Sequence, residues 1–506
     1  MNVLTLLDMA VAGMTDRIAL GSRIQGGITY RLLFDRVQAG AAVLRDLAVE
    51  EVVYLGVNGE DFPVAMFAAA AAEIPLVPLN YRLGRQPLAQ LLAQHPKALV
   101  ISDSDPPTDA HVMATAQWRE RCDTPSPPPH PWVDDANAAA VLIYTSGTTS
   151  APKAAVLRHR HMTSYLLGTV EFGGAGEEEA VLVSVPPYHI AGVTNLLSNI
   201  YAGRRIVYLE SFDARAWLDR VRTERITHAL LVPTMLAKIT EYLADAAHAD
   251  VPSLRSLAYG GAKMPLPILE RAVRLFPNVD FVNAYGLTET SSTIAVLGPE
   301  DHRAALNGDP VARLRLGSVG RVLPGIEVQI RGPGGELAAG RSGEIHVRGP
   351  QVSGEYRGIG TALDAAGWFP TRDRGWVDAD GFLFVEGRSD DTIIRGGENI
   401  APAEIEDALL EHPAVAEAAV VGVPDEQWGH EIAAAIVLRA GHRVEADELR
   451  SWVRLRLRSS KTPAHIVFRD TLPQTPTGKI LRREVQADLT AEPSAVPHRQ
   501  EGGSDA

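Results

Sequence analysis

Between residues 30 and 300, short apolar β-rich runs alternate with amphipathic helical runs, and that alternation leaves few folds open. Strand candidates lie at 52–57, 98–101, 138–143, 180–184, 205–209, 228–232 and 281–283. Helix-like stretches such as 32–44, 63–72 and 214–224 separate them. The order predicts a large N-terminal layered α/β domain built on parallel strands. From 315 to 386 the texture changes to short strands (327–330, 343–347, 382–385) between Gly-rich turns, which predicts a small β-barrel-like subdomain. Beyond Gly387 a helix at 403–410, strands at 418–421 and 432–438 and a helix at 446–457 predict a small α+β C-terminal domain. The expected division is 1–387, 388–490 and a polar tail, 491–506, expected to be disordered. A chain of 506 residues is too long for one ordinary core, which agrees with that division.

Charge and cysteine content narrow the function. The formal net charge of -14 argues against broad nucleic-acid binding, so a site for anions must gather positive charge locally. The single cysteine, Cys122, permits no internal disulfide and no cysteine-built zinc site. This agrees with a cytoplasmic location. Cys122 stands beside Arg121 and a Pro-rich stretch, a context that reads as a surface connector with an inert thiol. The first residues lack a basic n-region and meet an acid at Asp8, unlike a secretory signal. The longest apolar stretch, 64–79, contains Glu73 and two prolines and is too short and broken to span a bilayer. Peripheral membrane contact and oligomeric state stay open.

Chemistry concentrates in three segments at the ends of predicted strands. Tyr144-Thr-Ser-Gly-Thr-Thr-Ser-Ala-Pro-Lys153 packs five hydroxyls and a glycine into six positions and adds a lysine. Gly147 lets the backbone approach a ligand, the hydroxyls and N–H groups donate, and Lys153 brings positive charge, as a polyphosphate requires. It is not a Walker A loop, because Pro152 precedes Lys153 and Ala154 follows it. A plain polar turn is the competing reading. Tyr259-Gly-Gly-Ala-Lys-Met-Pro265 and Asn283-Ala-Tyr-Gly-Leu-Thr-Glu-Thr290 follow two other strands. The last offers an aromatic face (Tyr285), a hydroxyl (Thr288) and a carboxylate (Glu289), suited to a base and to Mg²⁺ near phosphate oxygens. Three such segments on one sheet edge mark the expected ligand cleft.

Further along stand Trp368-Phe-Pro-Thr-Arg-Asp-Arg-Gly375, the run from Gly387 to Glu406, and Pro476-Thr-Gly-Lys-Ile-Leu481. This ordered set resembles the adenylate-forming superfamily of acyl-CoA synthetases, peptide-synthetase adenylation domains and firefly-luciferase-like enzymes. The matching motifs run from residue 144 to 479. The resemblance implies a large N-terminal domain, a small mobile C-terminal domain and two half-reactions. A carboxylate attacks the α-phosphate of ATP, and a thiol, usually coenzyme A, then displaces AMP. By this resemblance Thr145, Ser146, Gly147, Thr148, Thr149 and Lys153 hold the β- and γ-phosphates. Glu289 and Thr148 serve Mg²⁺, with Thr288 near the phosphates. Gly261, Ala262, Asn283, Tyr285 and Gly286 line the adenine slot, Asp373 takes the ribose hydroxyls and Arg388 reaches the ribose or phosphate. Lys479 is the catalytic lysine, Asp390 the hinge, with Gly387 and Ser389 before it permitting backbone rotation, and Gly396 and Gly397 shape the pantetheine channel. His189, in Pro186-Pro-Tyr-His189, gates the acyl or thiol tunnel; a general-base role is the weaker reading.

Two departures from the family pattern stand out. Ser150 and Ala154 replace glycines of the phosphate loop, and Arg372 replaces the glycine of a Thr-Gly-Asp motif. Arg454, Arg456, Arg458 and Lys461 form a basic cluster that reads either as a solvated helix or as a contact for coenzyme A phosphates or an anionic surface. The reading that follows is an acid–thiol ligase using ATP, Mg²⁺ and coenzyme A on a small-molecule carboxylic acid, expected to be a fatty acid. An acyl-AMP ligase feeding a carrier protein, and a degenerate member that binds without turnover, are the alternatives. The acid pocket is expected at 190–197, near 260–263 and around 284–293.

Overall fold

The computed structural model describes residues 1–124, 132–145, 152–306, 308–395, 398–425, 428–475 and 479–491. The chain divides into two compact units, one running from Met1 to Val385 and the other beginning at Glu386. Strand Leu383–Arg388 runs through that division, and the expected boundary, 387/388, also falls within this strand.

Two large sheets carry the first unit. A nine-stranded sheet has Ala180–Val183 at its heart, parallel to Arg205–Tyr208 on one side and His228–Leu231 on the other. Ser256–Gly260 and Asp280–Leu287 continue it in parallel, and Ser292–Leu297 then turns back antiparallel. An eight-stranded sheet holds Leu76–Pro78, Glu51–Tyr54, Ala98–Ile101 and His111–Met113 in parallel. On its other side Ala139–Thr145 pairs antiparallel with Lys153–Arg158, and Glu355–Tyr356 pairs antiparallel with the latter. The parallel strands are buried on both faces, which is why they appear in the sequence as unbroken apolar runs.

Helices fill the layers as their patterns dictate. Asp61–Ala71 is apolar on every side and every residue of it is buried, in one core with Leu4–Met14, Tyr30–Asp46 and strands of both sheets. The apolar stretch at 64–79 is therefore an interior helix and strand. Ala214–Thr223 turns only Ala214, Trp217, Leu218 and Val221 inward, onto the opposite face of the nine-stranded sheet. Asp213 caps its N-terminus by accepting from the Ala216 amide at 2.9 Å. Among the described residues no helix is long and apolar enough to cross a membrane.

The β-rich stretch after 315 forms a five-stranded sheet in the order Gly335–Glu336, Glu327–Gly332, Gly343–Arg348, Phe369–Val377, Leu383–Arg388. It ends on two different strands and closes no barrel among the described residues. The second unit packs helices Pro402–Leu410 and Ala446–Arg454 against one side of a sheet centred on Val415–Asp425 and Gly429–Leu438.

Two sequence expectations need correction here. Cys122 is not on a surface connector; it ends helix Thr115–Cys122, 3% exposed, and burial pushes its thiol pKa up, so it stays protonated. The motif 283–290 is not a loop as a whole. Residues 283–287 extend strand Asp280–Leu287, and the turn begins at Thr288.

Outside the motifs singled out above, two imidazoles, His159 and His161, are buried and a third, His228, is half-buried beside Glu179. His159, His161 and His228 are each pushed down to about 4, in every case by burial first. As pH falls below about 6.5 the unfolded chain takes up these protons while the native state does not, so stability declines towards pH 4. The melting temperature is therefore expected to drop between pH 6.5 and 5, where few carboxylates titrate. A flat or rising melting temperature over that interval would show that these rings are not buried neutral.

Candidate active site

The site is built where the three sheets of the first unit meet. Glu289 sits in the short turn Thr288–Thr290 at the end of the nine-stranded sheet's strand Asp280–Leu287, 8% exposed. Its Oε1 accepts from the Tyr356 hydroxyl at 2.7 Å. Tyr356 belongs to the eight-stranded sheet, paired with Ala155 of strand Lys153–Arg158. The Lys153 ammonium lies 5.8 Å from the centre of the same tyrosine ring. One aromatic side chain thus joins the carboxylate of one sheet to the lysine of another. The backbone reinforces the join, because the Ser353 amide donates to the Glu289 carbonyl at 2.8 Å and the Ser353 hydroxyl donates to the Val156 carbonyl.

A second carboxylate is held in the same manner. Asp373, on Phe369–Val377 of the five-stranded sheet, is 8% exposed and accepts at Oδ2 from the Tyr285 hydroxyl at 2.6 Å. Its own amide donates to Thr371 Oγ1 at 3.1 Å. A hydroxyl donor of this kind supplies a buried carboxylate oxygen with a hydrogen bond without neutralising its charge. Tyr285 is therefore placed with its hydroxyl on Asp373, and its ring stays half-buried along the strand edge.

The strand that carries Tyr285 needs Gly286. A bulge falls between Tyr285 and Gly286, and a Cβ on Gly286 would stand 1.8 Å from the Ser292 carbonyl oxygen. Asn283 donates to the Ser318 carbonyl at 3.3 Å, which pins the strand below the bulge. Gly261 and Ala262 follow strand Ser256–Gly260 and are exposed, on the same sheet edge as Thr288.

Thr145 ends strand Ala139–Thr145 directly opposite Lys153, and its hydroxyl donates to the Lys153 carbonyl at 3.4 Å. The two residues thus form the neck of the hydroxyl-rich segment. Ser146, Gly147, Thr148 and Thr149 themselves lie outside the described residues, as do Ser150, Gly396, Gly397 and residues 476–478. Ala154 lies in the strand, with no positive φ.

Among the described residues no group of three or more His, Cys, Asp or Glu side chains could hold a metal ion. Glu289 is a lone buried carboxylate near a lysine, which suits Mg²⁺ only when bound phosphates supply further oxygens. That donor set fits a nucleotide-borne cation and does not fit a resident metal.

His189 precedes helix Ile190–Ala202, and burial pushes its pKa down to about 4. Its Nε2 and the hydroxyl of the adjoining Tyr188 are buried atoms without hydrogen-bond partners among the described residues. The two rings are 4.7 Å apart, and Tyr81 meets Tyr188 edge-on at 5.7 Å. A neutral imidazole whose Nε2 has no partner among the described residues suits a lining role better than proton transfer.

Lys479, Asp390 and Arg388 belong to the second unit. Lys479 is exposed; its amide donates to Thr475 Oγ1 at 3.0 Å and its carbonyl accepts from the Thr475 amide at 2.7 Å. Asp390 lies in the turn Ser389–Asp391, after Gly387 with φ +144. Arg388 ends strand Leu383–Arg388. The basic cluster near 454–461 is partly neutralised, since Arg456 pairs with Glu411 at 3.0 Å and Lys461 with Glu404 at 2.5 Å.

Sequence reasoning missed Tyr356. The two-residue strand Glu355–Tyr356 carries no periodic signal, and Tyr356 meets Glu289 across 67 residues of chain.

Comparison with known proteins follows this geometry. Residues 7–357 match the family model described as AMP-binding enzyme, and residues 404–479 match that of the AMP-binding enzyme C-terminal domain. A feruloyl-CoA synthase of Amycolatopsis sp is 36% identical over 482 residues, covering 91% of this chain and 93% of that protein. A fatty acid–[acyl-carrier-protein] ligase of Streptomyces coeruleorubidus is 33% identical, covering 86% of each. The structure of o-succinylbenzoate CoA synthetase from Bacillus subtilis with its acyl-adenylate intermediate superposes with a TM-score of 0.84 at 29% identity, covering 95% of this chain and 97% of that one. The same enzyme is also known with ATP and a magnesium ion.

Arg372 carries a testable cost. It stands where the resembling motif has glycine, and its φ is +61, in the left-handed region that glycine tolerates and arginine does not. Its side chain is exposed, on the face opposite Asp373. Replacing Arg372→Gly is expected to raise the melting temperature, with a gain of up to about 1 kcal/mol. A lower melting temperature would mean that the arginine side chain contributes more than the strained backbone costs.

Proposed function

We propose, from the premise that this chain belongs to the AMP-binding enzyme family, that it is an ATP-dependent acyl/aryl-CoA ligase working through an acyl adenylate. The observation that carries the reading is the pair of buried carboxylates, Glu289 and Asp373, each held by a tyrosine hydroxyl, with the Tyr356 ring that holds Glu289 lying 5.8 Å from Lys153. In the first half-reaction a carboxylate oxygen of the acid attacks the α-phosphorus of ATP, and the bond to pyrophosphate breaks. Negative charge grows on the leaving pyrophosphate, so fixed positive charge is needed there. Lys153 and the hydroxyls of Thr145, Ser146, Thr148 and Thr149 serve that end. Glu289 is the protein's ligand to Mg²⁺, which neutralises phosphate charge when bound. Asp373 takes the ribose diol, Tyr285 and Asn283 the base, and Lys479 the carboxylate–phosphate junction during adenylation. In the second half-reaction the coenzyme A sulfur attacks the acyl carbonyl, AMP leaves, and the thiol proton passes to solvent.

The acid we propose is one with an aromatic ring bearing a polar group. Two lines support it. The relatives above include enzymes named for feruloyl and o-succinylbenzoyl groups. The buried Tyr188 hydroxyl and His189 Nε2 lack partners among the described residues, and a polar ring substituent is a partner of the right kind. A fatty acid is the second reading, favoured by the 33% identical fatty acid ligase. We place the enzyme in the cytoplasm, where ATP and coenzyme A are available.

Pyrophosphate exchange with a panel of aromatic and fatty acids tests the reading, followed by addition of coenzyme A. Exchange with aryl acids and appearance of their CoA thioesters are expected. Lys479→Ala is expected to cut adenylate formation by on the order of 100-fold while sparing thioester formation from supplied acyl adenylate. Adenylate that accumulates without thioester would favour a carrier-protein ligase. ATP binding with no exchange on any acid would refute the ligase.

A further inference from the structure

The second unit contains an ion pair between a buried acid and a half-buried arginine that none of the roles above uses. Glu406 lies on the inner side of helix Pro402–Leu410, 8% exposed. Its Oε1 accepts from the Val420 amide at 2.8 Å and its Oε2 from Arg482 Nη2 at 2.5 Å. The other arm of that guanidinium, Nη1, is 3.5 Å from Asp391 Oδ2. Burial pushes the Glu406 carboxyl up, with Arg482 and the Val420 N–H opposing it. Removing a guanidinium and a carboxylate from water is costly, and a hydrophobic pair of like size often does as well for stability. The geometry of the contact is what an arginine adds, because its planar fork can engage two acids at once.

The two ends of this bridge are informative. Asp391 closes the turn Ser389–Asp391, which contains Asp390. Arg482 opens helix Arg482–Ala491, three residues after Lys479. The intervening chain is itself tied down: the Leu481 amide donates to the Pro473 carbonyl at 2.9 Å, and Thr475 and Lys479 exchange two hydrogen bonds. The helix does not need Arg482 to dock. Val485 is 2% exposed, and Gln486 donates to the Gly422 carbonyl at 2.6 Å. A continuous path therefore runs from Asp390 through Asp391 and Arg482 to Lys479.

We propose that Arg482 is a positioning residue: by bridging Glu406 and Asp391 it ties the Lys479 turn to the Ser389–Asp391 turn, so that the lysine and the hinge segment move as one body. This rests on the proposed roles of Lys479 and Asp390. Rotation about a hinge can deliver a lysine to a fixed position only if little slack lies between the two.

Asp391→Asn and Arg482→Lys in the full-length chain test it, since each breaks the Asp391 link while leaving Glu406 a cationic partner. Each is expected to lower kcat for adenylate formation roughly 10- to 100-fold, as a misplaced group does, with KM for ATP and for the acid held within about twofold. The double variant is expected to be no worse than the poorer single one, the mark of a shared interaction. Amide hydrogen exchange is expected to quicken across 473–481 in both. Unchanged exchange there would overturn the tie itself. Quicker exchange with kcat unchanged, or a raised KM at constant kcat, would overturn the positioning role. If the wild-type chain forms no adenylate with any acid, the ligase reading fails, and the exchange measurement alone decides whether the turns are coupled.

Discussion

The structure of the first unit depends on two buried carboxylates that a tyrosine keeps hydrogen-bonded at each junction between sheets. Tyr356 reaches Glu289 from the eight-stranded sheet to the nine-stranded one, and Tyr285 reaches Asp373 from the nine-stranded sheet to the five-stranded one. A carboxylate with no partner in a site this closed would be protonated or expelled to solvent. A neutral hydroxyl supplies such a partner without cancelling the charge. A tighter arrangement, such as a bidentate arginine, would have consumed the charge that a nucleotide site needs. The same tyrosine ring that holds Glu289 also lies under Lys153, so acid and base are spaced by one side chain.

This arrangement explains which parts of the molecule were readable beforehand. The parallel strands announce themselves because both of their faces are buried, which forces unbroken apolar runs such as 98–101 and 180–183. Helix Ala214–Thr223 is equally plain, since its inward positions recur at helical spacing behind an aspartate cap. Ordered motifs singled out Glu289, Asp373 and Lys153 in the sequence, and the structure adds that Glu289 and Lys153 share the Tyr356 ring between them. Tyr356 was not, because a two-residue edge strand has no period and its partner is distant in the chain. Nor was the extent of strand Asp280–Leu287: Asn283 and Gly286 look like breakers, yet the bulge before Gly286 absorbs them. The glycine missing at 372 was visible as a departure, but only the backbone shows that Arg372 occupies the left-handed region regardless.

The basic cluster and the lone cysteine show how local context misleads. Four cations near 454–461 resemble an anion-binding face until Arg456 and Lys461 are found paired with Glu411 and Glu404. Cys122 borders a Pro-rich stretch in sequence, yet its helix buries it. Arg482 is the opposite case: an unremarked residue beside a recognisable lysine motif proves to lie half-buried between two acids. In each instance the deciding fact is a partner remote in sequence, which periodicity and composition do not encode.

The central claim is that Glu289 and Asp373, each accepting from a tyrosine hydroxyl, mark the place where we propose that a magnesium-bound nucleotide sits. A crystal structure of this protein with a non-hydrolysable ATP analogue and Mg²⁺ measures that directly. The account predicts metal density against Glu289 and both ribose hydroxyls within hydrogen-bond distance of Asp373, with Tyr356 and Tyr285 still donating to the two acids. Nucleotide density away from both carboxylates, or either tyrosine swung off its acid to admit the ligand, would contradict it.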